Sequence, residues 1–93
     1  MSKTEIVLAN GQTVSASLGF AALKNLRHKN SSLYKFADKA IAKGIESISE
    51  ASRLLYAAYL AVNEGEPIAE GDFYELLPDS YAEQVEMLQE ILQ

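Results

Sequence analysis

Residues 47–63 read SISEASRLLYAAYLAVN, and how this stretch folds decides the rest of the chain. Apolar residues at Ile48, Ala51, Leu55, Ala58 or Tyr59, and Val62 follow a 3.6-residue repeat, and Leu54, Ala57, Ala58 and Ala61 widen that face past half the circumference. A helix apolar over so much of its surface needs covering on several sides, so the spacing predicts a central helix over 48–63. Ser47 with Glu50 three residues on is a capping-box pattern for its start. Gly65 and Pro67 mark its end, since Gly tolerates the left-handed turn that closes a helix and Pro cannot continue one.

On the N-terminal side, Thr4 to Leu8 (TEIVL) and Thr13 to Leu18 (TVSASL) flank Asn10-Gly11, the strongest short-range hairpin signal. With Asn10 and Gly11 as a two-residue type I′ loop, Val7 faces Val14 and Glu5 faces Ala16. Val7, Val14, Ala16 and Leu18 then share one face, and Ile6 and Leu8 lie on the other. A lone ribbon is marginal in water, so this one is expected to lie on helices or pair with another subunit's ribbon. Leu18 to Lys29 (LGFAALKNLRHK) reads as a short helix with Phe20, Leu23 and Leu26, and Ala21 and Ala22, facing inward. Leu33, Phe36, Ala37, Ala40 and Ile41 fit the helical template without a gap, and Gly44 is the expected stop.

C-terminal to the central helix, Asn63 to Gly71 (NEGEPIAEG) is a loop by composition, and Asp72 is placed to cap a turn or two before Pro78. Ser80 with Glu83 repeats the capping pattern, and Tyr81, Val85, Leu88 and Leu92, with Ile91 beside them, define the inner face of a last helix. The chain is thus predicted to be a single domain over 1–93, mainly α with an N-terminal β-hairpin (α+β). It is a small bundle of four to five helices, with the hairpin at 4–18 and helices at about 19–29, 33–43, 48–63, 72–77 and 81–92.

Ninety-three residues with 48% hydrophobic content suit one core, because chains of this length bury only about 60–65% of their unfolded surface. No Cys is present, which removes disulfides, thiol nucleophiles and thiolate metal sites and fits a reducing compartment. No apolar run reaches the roughly 18 residues of a membrane span, and Lys3 and Glu5 sit where a signal peptide needs apolar residues, so a cytosolic protein is expected. Net charge is −5, unevenly spread. Residues 1–45 carry seven Lys or Arg against Glu5 and Asp38, a balance of +5, and residues 46–93 carry only Arg53 against eleven acids, a balance of −10. The bland reading of this dipole is solvated surface; the sharper one is head-to-tail self-association, or a basic partner for the acidic half.

Catalysis needs tuned groups placed together, and here there is one His, His28, among Lys24, Arg27 and Lys29, where an exposed structural role is expected. Glu46 with Glu50 and Glu86 with Glu90 are like-charged helical neighbours, the pattern of a solvated face. No Walker A, HExxH, EF-hand or GxGxxG spacing occurs. The sequence therefore points away from an enzyme, and no metal or cofactor is expected. Lys24, Arg27, Lys29, Lys35, Lys39 and Lys43 form a basic cluster near Tyr34, but a pI near 4.7 opposes nucleic-acid binding. Tyr56 and Tyr59 read as core residues with hydroxyls at the rim, or as a partner-binding stripe.

Taken together, the Asn-Gly hairpin, the string GFAALKNL with its G-F-x-A-L-x-x-L pattern, the helix LLYAAYLA and the acidic closing segment EQVEMLQEIL resemble the tail assembly chaperones of long-tailed phages, particularly those of Gram-positive hosts. The likeness covers nearly the whole chain. It implies a small helical, self-associating protein of the infected cell's cytoplasm that coats the tape measure protein and keeps it soluble while the tail tube forms, with the major tail protein as a further partner. The resemblance also implies absence from the finished virion, and the family often makes a longer frameshifted form. Neither nucleic acid nor membrane is an expected partner. The client surface is expected on the last two long helices, with Tyr56, Tyr59, Val85 and Leu88 its first residues. The alternative function is a small acidic regulatory or inhibitor protein of anti-repressor type, using its acidic half to block a basic partner surface.

Overall fold

A computed structural model describes residues 4–92, so Lys3 and Gln93, which enter the readings above, lie outside the described residues. The order is β1 (Thr4–Val7), β2 (Thr13–Ala16), α1 (Phe20–Lys29), α2 (Ser31–Lys43), α3 (Ile48–Val62), α4 (Glu70–Glu75) and α5 (Tyr81–Leu92). The fold is mainly α with an N-terminal antiparallel hairpin, as the patterning predicts, and it measures 31 × 28 × 24 Å.

α3 is the centre. It packs against α1, α2, α4, α5 and β2, and the unbroken run Leu54 to Tyr59 is buried all the way round. Alanines at 57, 58 and 61 are completely buried, and because they add so little bulk the ribbon comes close enough for the Ser17 N–H to donate to the Ala58 carbonyl at 3.1 Å. The start follows the capping prediction in part. Ser47 Oγ accepts from the Glu50 N–H at 3.3 Å, but the Glu50 carboxylate reaches one residue further back and accepts from the Glu46 N–H at 2.7 Å. At the other end the helix stops at Val62, one residue short of the expected span. Lys29 Nζ donates to the Leu60 and Asn63 carbonyls at 2.9 and 2.6 Å, a cation placed at the negative end of the helix. Gly65, with φ +88°, turns the chain in the loop that follows.

The hairpin exists, but its register differs from the expected one by a residue. Ile6 faces Val14 and Thr4 faces Ala16. The Gly11 N–H donates to the Leu8 carbonyl at 2.9 Å and the Leu8 N–H to the Gln12 carbonyl at 2.8 Å, which makes a three-residue loop of Ala9, Asn10 and Gly11. Gly11 has φ +87° and is the only positive-φ residue of the turn, so the loop is a type I turn followed by a left-handed glycine, in place of type I′. The physical reason is burial. This register puts Ile6, Leu8, Val14, Ala16 and Leu18 on one buried face, whereas the two-residue loop would have split them between core and water.

Other boundaries shift for local reasons. α2 begins at Ser31, two residues early, because the Asn30 side chain accepts from the Leu33 N–H at 3.0 Å and caps it. α4 runs from Glu70 to Glu75 with Ala69 at its N-cap, so Asp72 lies inside the first turn and caps nothing. In α1, Ala22 and Leu26 are buried and Leu23 half-buried, but Phe20 and Ala21, both expected inside, are exposed. In α5 the inner face is Gln84, Leu88 and Ile91, which rotates Tyr81, Val85 and Leu92 toward the rim. Gln84 is 2% exposed yet bonded at both ends of its amide: its Nε2 donates to the Pro78 carbonyl and its Oε1 accepts from Ser52 Oγ, each at 2.8 Å. Arg53 lies 4.8 Å from the centre of the Phe36 ring and ties α3 to α2 through its exposed edge.

Candidate functional site: surfaces for protein partners

Three of the four residues expected to touch a partner are part of this chain's own core. Tyr56, Tyr59 and Leu88 are buried. The two tyrosines join Phe73 in an aromatic cluster, with Tyr59 stacked on Phe73 at 5.0 Å between ring centres and Tyr56 edge-on to it at 5.2 Å. Their hydroxyls hold the loop before α4: Tyr56 donates to the Ile68 carbonyl at 2.9 Å and Tyr59 accepts from the Ile68 N–H at 2.8 Å. A side chain so placed cannot reach a partner without opening the fold. The core reading of the tyrosines is the one the geometry follows. Val85 alone of the four is half-exposed.

Val85 lies in a groove of about 160 Å³ between the end of α2 and α5. Ile41, Ile45, Val85 and Leu92 form its walls and Leu88 its buried floor. Ile41 is 39% exposed and Leu92 49%, so the walls stand in water. The residues that build it follow from chain geometry: Gly44, with φ +90°, ends α2 and lets Ile45 fold back beside Ile41.

A second apolar surface surrounds Phe20, which is 84% exposed. Phe20, Leu23 and Tyr34 line a depression of about 290 Å³ together with Lys24, Arg27 and Asp38, and the Arg27 guanidinium sits 6.0 Å from the Tyr34 ring centre. A third surface has the opposite sign. Between β1 and α5, a groove of about 330 Å³ is lined by Glu5, Glu83, Glu86 and Glu90 around Ile6, Val7, Pro78 and Met87. The observed hairpin register creates it, because Val7 is the one large apolar strand residue turned outward, beside Glu5, at 66% exposure. The charge dipole of the sequence thus becomes two separate apolar surfaces with rims of opposite charge.

Chemistry on the described residues is limited. His28 is exposed in the last turn of α1. Among the described residues no group of three or more His, Cys, Asp or Glu is arranged to hold a metal ion. Two tyrosines have perturbed hydroxyls: burial, then the Glu70 carboxylate, pushes Tyr56 above the usual phenol range. Burial and a hydrogen bond donated to Glu70 do the same to Tyr74. Both shifts keep the hydroxyl protonated as a donor, which serves structure.

The sequence pattern places Phe20 inward and Val7 on a face with Val14, Ala16 and Leu18, whereas both stand at the surface. The signal for Val7 lies in the alternation of the strand; Phe20 follows the Gly19 N-cap as the first residue of α1 and is left in water. Among the described residues, no helix is long and apolar enough to cross a membrane. The chain matches no protein-family model, no curated protein and no solved structure.

Proposed function

We propose that this chain is a non-catalytic assembly chaperone of the phage-tail type, which self-associates and holds an apolar helical segment of a tape-measure-like client in solution. The observation that carries the reading is the groove of Ile41, Ile45, Val85 and Leu92, whose walls are apolar side chains left in water by a chain that otherwise buries its core well. A groove beside a helix accepts an amphipathic client helix through residues spaced three and four apart, which needs neither metal nor nucleotide. Resemblance of the hairpin, the GFAALKNL string and the acidic last helix to the tail assembly chaperones supplies the identity of the client. On this reading the protein works in the host cytoplasm, leaves before the virion is complete, and meets the major tail protein only as the tube closes round the client.

The test is co-expression with a tape measure protein, which this reading expects to be encoded beside this chain. The client is expected in the soluble fraction only when this protein is present. A client equally insoluble with and without it removes the chaperone reading and favours the regulatory one, in which the acidic surface blocks a basic partner.

A further inference from the structure

We propose that Phe20, flanked by Lys24 and Arg27, docks into the acidic groove between β1 and α5 of a second copy of this chain. The interface deepens the self-association in the reading above and involves no client. Phe20 is the most exposed large apolar residue described, and it is fixed on the first turn of a ten-residue helix. Lys24 and Arg27 follow it at i+4 and i+7, so one helix face carries a ring with two cations behind it. The Arg27 guanidinium lies 6.0 Å from the Tyr34 ring centre, beside that face.

The receiving surface is built in the same terms with the sign reversed. Glu83, Glu86 and Glu90 stand at i, i+3 and i+7 along α5, Glu5 faces them from β1, and Val7 and Met87 form the apolar part of the floor. No Lys or Arg lines this groove among the described residues. Met87 is unbranched and polarizable, suited to accepting an aromatic ring. Within one chain the two surfaces are not in contact, since Phe20 and Val7 both face solvent. A second copy supplies what each lacks: an apolar ring for Val7 and Met87, and two cations for the carboxylates. Asp38, the one acid lining the Phe20 depression, lies on α2, one element away from the ring and its two cations. Because every copy carries both surfaces, contacts either propagate from copy to copy or close a ring. Exposed charges of opposite sign steer and strengthen this contact at low salt.

Two variants separate the halves. Phe20→Glu removes the ring and keeps the groove; Val7→Lys with Glu86→Lys spoils the groove and keeps the ring, and Glu86→Lys alone replaces it if the double variant loses helix content by circular dichroism. Light scattering over a concentration series is expected to show wild type well above the 10.2 kDa monomer, dissociating as salt is raised. Each variant alone is expected to associate about 30-fold more weakly or worse, as for a hot-spot residue. Mixed in equal amounts, the two variants are expected to form a one-to-one complex, since one intact ring meets one intact groove. Wild type that stays monomeric at every concentration, or variants that never pair when mixed, overturns the interface. Phe20→Glu assembling as well as wild type also overturns it, while leaving the client-holding reading to its own test.

Discussion

Tyr59 accepts a hydrogen bond from the Ile68 N–H at 2.8 Å, while Tyr56, three residues earlier, donates to the Ile68 carbonyl at 2.9 Å. One turn of α3 thus satisfies both backbone groups of a single loop residue and fixes where α4 begins. Tyr59→Phe leaves a partly buried N–H without its acceptor and is expected to cost about 1–3 kcal/mol; Tyr56→Phe leaves a carbonyl, which is easier to satisfy, and is expected to cost less. Urea unfolding of both variants gives the ranking, and the reverse order would show that the loop is held in some other way.

Gln84 and Ser52 form the other polar joint of the core, between α5 and α3. Removing either partner leaves the other in a partly buried contact without its bond, so a double-mutant cycle of Gln84→Ala and Ser52→Ala is expected to give a coupling of at least about 0.5 kcal/mol. Additive losses would mean that the pair is a bystander to packing by Leu88 and Ile91.

Gly11, at φ +87°, has open space where a Cβ would be, so only backbone strain opposes a side chain there. Gly11→Val is expected to destabilise by about 1–2 kcal/mol and Gly11→Asn by clearly less, since Asn tolerates the left-handed region. Equal unfolding midpoints for the two variants would remove the left-handed turn, and with it the three-residue loop.

The same turn illustrates how much of the fold was legible. Elements and order follow from periodicity and from caps such as Ser47, and the central role of α3 follows from its Ala-rich circumference. The register was legible too, but in the wrong place: Asn10-Gly11 suggests a two-residue loop, while the even-numbered apolar set of Ile6, Leu8, Val14, Ala16 and Leu18 demands that all five share a face, and burial outweighs turn preference. α5 failed for a different reason. Its core position is Gln84, a polar residue that counts as exposed in any periodicity, so the inner face is read one position off and Val85 and Leu92 are placed inside. Tertiary bonds to Ser52 and Pro78 make Gln84 acceptable in the core, and nothing local announces them. Tyr56 and Tyr59 were ambiguous because an aromatic stripe looks the same whether it meets a partner or Phe73.

Alkaline pH offers an independent check on the aromatic cluster. Burial raises the hydroxyl pKa of both Tyr56 and Tyr74 in the folded chain, with Glu70 adding to each shift. In the unfolded chain these phenols lose their protons near the ordinary value of about 10, while the folded chain retains them, so unfolding gains as protons are released. The stabilisation is therefore complete below pH about 10 and is lost as pH rises toward the folded values. Tyr74→Phe is expected to flatten the fall in stability above that point, and an unchanged slope would show that other groups cause it.

The most direct measurement couples the α2–α5 groove to the proposed chaperone role. Ile41 and Leu92 are exposed walls, so Ile41→Glu with Leu92→Glu places two charges in the groove without opening the core, and unfolding midpoint and helix content are expected to stay close to wild type. Co-expressed with the proposed tape-measure client, this double variant is predicted to leave the client in the pellet while remaining soluble and folded itself. A client kept in solution as well by the folded double variant as by wild type would contradict the account, because the groove would then hold nothing.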